Sequence, residues 1–236
     1  MTVLSLYVSA GRPGYVDHAL TVSGVDAVVL DLEDSVDDRD KDAARDVAAE
    51  LLRSCGGLPD RMLVRVNAPG SAHLDADLAE LVPLGLDRLR LPRVRTRQDL
   101  EDVLARIGTL AGRDGSTAGP PRVELMIETV GALRDLEEIV TGRPEVTALT
   151  FGGEDYLRDS RATGAPQDLW EAKRELVRKA AAAGLPAYDT VYGNLHDRDA
   201  VWQDAHRAAR LGFAGKSIIH PAQSPVTRNA FADAGR

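Results

Sequence analysis

Residues 28–34 read VVLDLED. An apolar run suited to burial leads directly into three carboxylates, Asp31, Glu33 and Asp34. Val and Leu favour a packed strand, whereas clustered carboxylates require water, a metal or a cationic partner. The stretch predicts a core strand that delivers acid to one end of the molecule. What that end is for depends on what the other strands deliver beside it.

The run extends as AVVLDLE (27–33), and similar β-rich runs recur along the chain. They are VLSLYV (3–8), MLVRVN (62–67), DRLRLPRV (87–94), VELMIET (123–129), VTALTFGG (146–153), AYDTVYG (187–193) and GKSIIH (215–220). Helical periodicity lies between them. Residues 40–54 put Ala43, Val47, Ala48, Leu51 and Leu52 on one face, and 97–110, 168–183 and 197–211 behave similarly. Asp168 is placed to cap the helix that starts at LWEAKRELV.

Strands alternating with helices, at a spacing of roughly 25–35 residues, predict βαβ units in a parallel sheet. Several runs are nearly continuous in apolar residues, as strands covered on both faces should be. About eight such units in 236 residues predict an α/β protein folded as a single (β/α)8 TIM barrel over 1–236. The rival, a doubly wound open sheet, is disfavoured because GRPG after the first strand lacks the GxGxxG spacing of a nucleotide loop. The most linker-like stretch, GRDGSTAGPP (112–121), sits between a helix and the fifth strand and reads as a flexible connection on the barrel's far face.

Composition narrows the partners. A formal net charge of −8 argues against non-specific binding to nucleic acid or an anionic membrane. The apolar runs fall short of the roughly 20 residues that cross a bilayer. The N-terminus MTVLSLYVSAGRPG lacks the basic start of a signal peptide, so a cytoplasmic location is expected. The lone cysteine, Cys55, excludes an internal disulfide and reads as a small buried or half-buried residue at a helix end.

In a barrel of this type the site lies at the C-terminal ends of the strands. Strand by strand, that end receives Gly11, Arg12 and Pro13; Glu33 and Asp34; Arg65 and Asn67; Pro92 and Arg93; Glu128 and Thr129; Glu154 and Asp155; Asp189 and Tyr192; Lys216 and His220. Several carboxylates with no Cys or His among them suit a hard cation such as Mg2+. Without a cation they would repel one another and their pKa values would rise. Arg65 supplies positive charge, and a metal with an arginine facing one cavity can stabilise an oxyanion or enolate. Each residue also has a structural alternative. Asp34 and Asp155 could be helix caps or solvated loop acids, Arg65 an ion-pair partner, His220 packed under the last strand, and Lys216 a surface lysine.

The stretches YVSAGRP, AVVLDLEDSV, KDAARDVAAE, VRVNAPG, LRLPRV, MIETVGAL, ALTFGGEDY, AYDTVYGNLHDRD and LGFAGKSIIHPAQ occur in this order over nearly the whole chain. Together they resemble the citrate lyase beta-subunit family, within the HpcH/HpaI aldolase superfamily of phosphoenolpyruvate/pyruvate-like barrels. The resemblance implies a Mg2+-dependent carbon–carbon lyase. Such an enzyme cleaves a citryl, malyl or citramalyl thioester, on CoA or an acyl carrier, into an acetyl thioester and a 2-oxo acid. It implies Glu128 and Asp155 as metal ligands, and Arg65 as the residue that binds the 2-oxo acid and its developing oxyanion. Glu33 and Asp34 match the acidic pair of the metal pocket, and Arg12 falls where a carboxylate or CoA phosphate is held. A homo-oligomer, trimer or hexamer, is the family expectation.

This chain departs from the family pattern in three places. Arg93 stands where the family often has Lys, PGSAHLD follows RVNA where many members have a Thr-Pro or Thr-aromatic pair, and the sequence stops soon after HPAQSPVTRNAF. Many relatives continue there into a helical lid that covers a neighbouring subunit's site, so a lid is expected to be lacking and CoA recognition is expected to be weaker. The rival functions are an aldolase or thioesterase using the same enolate-binding site, and a non-catalytic barrel that retains metal and 2-oxo-acid binding.

Overall fold

Two side-chain environments alternate along each strand and decide where the site forms. In the second strand Val28 and Leu30, followed by Leu32, pack outward into the helical layer, whereas Ala27 and Val29 pack inward with Leu63 and Tyr7. Asp31 and Glu33 continue the inward period, so the opening motif interleaves a core face with an acidic one.

The computed structural model describes residues 2–21, 24–55, 61–111 and 119–235. Eight parallel strands close into a barrel in sequence order. They are β1 (Val3–Ser9), β2 (Ala27–Asp31), β3 (Met62–Arg65), β4 (Arg88–Leu91), β5 (Arg122–Ile127), β6 (Val146–Phe151), β7 (Ala187–Asp189) and β8 (Gly215–Ile218). The helices around them are α1 (Pro13–Thr21), α2 (Lys41–Cys55), α3 (Leu74–Leu81), α4 (Arg97–Ala111), α5 (Val130–Arg134), α6 (Leu136–Val140), α7 (Gly153–Thr163), α8 (Leu169–Ala182), α9 (Arg198–Leu211) and α10 (Gln223–Ala234). A short 3₁₀ turn, Asp38–Asp40, leads into α2. No helix of the described residues is long and apolar enough to cross a membrane.

The barrel, the eight strand positions and the four expected helices agree with the sequence, and Asp168 caps α8 by accepting from the Trp170 and Glu171 amides. Each strand except β1 stops short of its expected C-terminal limit. The last residues of those runs leave the ladder, and some of their backbone groups bond to side chains at the mouth. Lys41 Nζ, for example, donates 2.7 Å bonds to both the Leu32 and Glu33 carbonyls. Short helices of limited periodicity, such as α5 and α6, are not apparent in the sequence. Nor is α7, whose first turn is Gly153-Glu154-Asp155. The Cys55 side chain and residues 112–118 of the linker-like stretch lie outside the described residues.

The interior is not an apolar plug. Arg90, fully buried, donates through Nη2 to Glu124 Oε2 at 2.7 Å and through Nη1 to the Tyr7 hydroxyl at 2.8 Å. The Tyr7 ring lies between two guanidinium groups, with Arg65 Cζ 5.1 Å and Arg90 Cζ 5.3 Å from its centroid. The stacking adds to the Asp31 and Glu124 carboxylates, which neutralise the two guanidinium charges of the barrel floor. Above this floor, towards the C-terminal mouth, the carboxylates begin.

Candidate active site

The register of neighbouring strands brings the first pair together. Asp31 and Arg65 are direct partners across β2 and β3. Arg65 meets Asp31 at two points, Nε to Oδ1 at 2.6 Å and Nη2 to Oδ2 at 2.8 Å. Its Nη1 lies 2.9 Å from Glu33 Oε2 and 3.4 Å from Asp34 Oδ2. All of these groups except Asp34 are buried. Asp31 is therefore a principal anchor of the arginine, a role the sequence reading did not assign it. Its signal was present: the acid sits two residues before Glu33 on the inward period.

Burial disfavours ionisation of Asp31, but the Arg65 charge and hydrogen bonds overcome it and hold the carboxyl below its usual range. Glu33 goes the other way. Burial, reinforced by Asp34 and Asp31, outweighs the attraction of Arg65 and Arg93 and pushes it up to about 7. Glu128 is the deepest acid of the mouth, 1 % exposed. Burial first, then the charges of Glu33 and Asp155, raise it to about 8. Its Oε1 accepts from the Arg93 amide at 2.5 Å.

Gly152 makes room for Glu128. A Cβ there would stand 2.6 Å from the Glu128 Cβ and closer still to Oε2, so the strand end β6 must be bare for the carboxylate to lie against it. Gly153 follows, its amide donating to Thr190 Oγ1 at 3.2 Å. It opens α7, which carries Asp155 in its first turn, where a carboxylate also meets the positive end of the helix. Asp155 pairs with Arg158 and faces Arg93 at 3.7 Å. Together Arg65, Asp31, Glu128 and Asp155 line a cavity of about 300 Å³, floored by Tyr7 and Met126 and walled by Gly152 and Ser217.

Other strand-end residues fall elsewhere. Arg12 is exposed, its guanidinium 6.0 Å from the Tyr15 ring, and it does not line the cavity. Asp189 turns into the helical layer, where Lys216 Nζ at 2.6 Å and Lys173 Nζ at 3.0 Å hold it ionised. Burial opposes that charge, but the two lysines keep the Asp189 pKa below its usual value. Lys216 is 1 % exposed and also meets Asp204 at 2.7 Å, so it is a core cation and not a surface lysine. Neighbouring residues of a strand face opposite sides, and Ser217, not Lys216, reaches the cavity. His220 is exposed, with Nδ1 accepting from the Ala222 amide, and is not packed under β8. Thr129 caps α5, and Asn67 binds Asp77 in a buried network.

The donor set fits a hard divalent cation. Glu128 and Asp155 offer only oxygen, Glu128 is deprotonated at a cost that a cation would repay, and Glu33 Oε2 is buried without an aligned hydrogen-bond donor. Among the described residues no group of three or more acid, His or Cys side chains is placed to hold a metal ion by itself. An ion on Glu128 and Asp155 would complete its shell with water and substrate oxygens, leaving positions open for chemistry.

Comparison with known proteins bears on the family and the fold. The model of the HpcH/HpaI aldolase/citrate lyase family matches residues 4–221. Citrate lyase subunit beta of Escherichia coli (strain K12) is 32% identical over 232 residues, covering 96% of this chain and 76% of that protein. The mitochondrial citramalyl-CoA lyase of Rattus norvegicus is 32% identical over 223 residues, 88% of this chain and 64% of that protein. A citrate lyase beta subunit from M. tuberculosis, solved with oxaloacetate and magnesium, superposes with a TM-score of 0.78 at 28% identity over 98% of this chain and 96% of that one. The chain belongs to the HpcH/HpaI aldolase/citrate lyase family, a family of carbon–carbon lyases.

Proposed function

We propose that this protein is a Mg2+-dependent lyase that cleaves a 3-hydroxy-acyl thioester into an acetyl thioester and a 2-oxo acid. The observation that carries the reading is the convergence, around one cavity, of an arginine pinned by Asp31 with two oxygen donors, Glu128 and Asp155. Support comes from the relatives, which are named as citrate and citramalyl-CoA lyases, and from a neighbour solved with oxaloacetate and magnesium.

The reaction breaks the bond between the thioester's α-carbon and the hydroxyl-bearing carbon. The hydroxyl proton leaves, its oxygen becomes the keto oxygen of the 2-oxo acid, and the bonding pair passes to the α-carbon as a thioester enolate. Protonation of that carbon completes the acetyl group. When bound, Mg2+ would supply a Lewis acid for the oxygens of the 2-oxo acid. Glu128 and Asp155 would hold it. Arg65, unable to turn because Asp31 grips two of its nitrogens, presents a fixed positive charge to the oxygen on which charge develops. Tyr7, stacked on Arg65, keeps the guanidinium plane in place from below.

The test is a Mg2+-dependent assay on citryl-, malyl- and citramalyl-CoA that follows acetyl-CoA and the 2-oxo acid. Acetyl-CoA release that EDTA abolishes is the expected result. Free CoA with an intact hydroxy acid would instead indicate thioester hydrolysis. Failure of oxaloacetate, glyoxylate and pyruvate, each with saturating Mg2+, to raise the melting temperature would sink the reading.

A further inference from the structure

Arg93 departs from an ordinary strand end. Its φ is +53°, and it is the one non-glycine in the left-handed region among the described residues. This backbone turns its amide onto Glu128 Oε1 at 2.5 Å. Its side chain runs back over the other three acids: Nε stands 3.1 Å from Glu33 Oε1, and Nη2 stands 3.1 Å from Asp34 Oδ1 and 3.7 Å from Asp155 Oδ1. One residue thus touches Glu128 with its main chain and Glu33, Asp34 and Asp155 with its guanidinium.

The seat is held by one hydrogen bond, from Nη2 to Asp34 Oδ1 at 3.1 Å. Nε has no aligned hydrogen-bond partner, the Asp155 contact is beyond hydrogen-bond reach, and the side chain is 39% exposed. Asp155 divides its charge with Arg158. A divalent ion on Glu128 and Asp155 draws on the same carboxylate charge, and a guanidinium 3.7 Å from Asp155 would repel it. The guanidinium has open solvent beside it and a long, flexible stem on which to leave.

We propose that Arg93 is the protein's own counter-ion for the acidic mouth: its guanidinium holds the cation position in the metal-free protein, and a divalent ion binds by displacing it. The inference rests on the reading of Glu128 and Asp155 as the cation's ligands. It has two consequences. The acids stay together without metal, so the cavity is preformed. The apparent affinity for metal is reduced by the fraction of molecules in which the guanidinium is engaged. The backbone amide stays on Glu128 in both states, so the positive φ preserves the position of the deepest ligand while the side chain moves.

Arg93→Gly isolates the side chain, because glycine adopts φ +53° without strain and keeps the amide. Mn2+ binding, read from the electron paramagnetic resonance of the free ion, is compared in wild type, Arg93→Gly and Arg93→Lys, with Mg2+ as competitor. Removing the competing cation tightens Mn2+ binding by roughly three- to tenfold in the glycine variant and less in the lysine variant. Saturating Mn2+ raises the melting temperature of the glycine variant by more than that of wild type. Binding in Arg93→Gly that equals wild type, or is weaker, overturns the proposal. Absence of Mn2+ binding in all three proteins overturns the cation reading itself and the proposal with it.

Discussion

Asp31 grips Arg65 at two points, 2.6 and 2.8 Å, across a pair of strands in which the two residues are direct register partners. Strand closure, not a flexible loop, therefore aims the arginine at the cavity. Breaking a buried pair from one side leaves a charge unmatched, which typically costs about 3–5 kcal/mol. Here Glu33 remains beside Arg65, so Asp31→Asn should lower stability by about 3 kcal/mol and lower kcat more than it raises KM. Urea unfolding with steady-state kinetics checks both; a variant as stable as wild type would show that Glu33 alone anchors the guanidinium.

The metal-free protein should lose stability as pH rises. Glu33 and Glu128 have folded pKa values of about 7 and about 8 against 4.5 in the unfolded chain. Between those limits the folded state binds protons that the unfolded state has released, so the stability slope with pH is negative. Below pH 4.5 both states are protonated and this effect is absent. Asp31 and Asp189, held below 3.8, act in the opposite sense and in a separate, more acidic window. In EDTA the melting temperature should be lower at about pH 8 than at about pH 5.5, and Glu128→Gln should flatten the difference. A profile that rises across this range in EDTA would contradict the electrostatics of the mouth.

Metal should reverse that trend, because binding to carboxylates releases their protons. The Mg2+-induced rise in melting temperature should be larger at about pH 8 than at about pH 5.5. Calorimetry in buffers of different ionisation enthalpy should report proton release near neutral pH. No proton release near neutral pH would mean that the raised acids do not receive the ion.

Gly152→Ala places a methyl group against Glu128. Overpacking of this kind costs about 1–3 kcal/mol, so the barrel should still fold. The displaced carboxylate should nevertheless lose Mg2+ affinity by at least an order of magnitude, read as a lost thermal shift with unchanged far-ultraviolet circular dichroism. Retention of the full shift would remove Glu128 from the ligand set.

Lys41 is a positioning residue for Glu33. Its ammonium holds the Leu32 carbonyl, the Glu33 carbonyl and Asn67 Oδ1 at 2.7, 2.7 and 2.8 Å. Lys41→Met strands three acceptors and should cost about 2–4 kcal/mol while lowering kcat. Lys41→Arg should recover stability more fully than kcat, because a fork cannot reproduce three bonds from one nitrogen. Equal recovery of both would make the role purely structural.

Much of this protein was legible in its sequence, because strand and helix signals are local. Period-2 and period-3.6 patterns, turn residues and an Asp at 168 specify eight βα units, and the barrel then dictates which strand ends converge. Glu33, Asp34, Arg65, Glu128 and Asp155 fall among the strand-end residues for that reason, and the family resemblance singles them out. Which residues satisfy one another could not be read this way. Asp189 and Lys216 have the composition of a mouth but sit on the outward period of very short strands, where they neutralise each other in the helical layer. Asp31 looks like one acid among several until the register places it opposite Arg65. Arg93 is an arginine after a proline until a left-handed backbone folds its side chain over three acids and its amide onto a fourth. Sequence by itself determined the elements, the barrel and the chemical types gathered at its rim, since those follow from short-range propensity and period. Tertiary structure alone decided the pairing of charges, because an ion pair depends on distance and burial between residues far apart in the chain, 34 positions for Asp31 and Arg65 and 27 for Asp189 and Lys216.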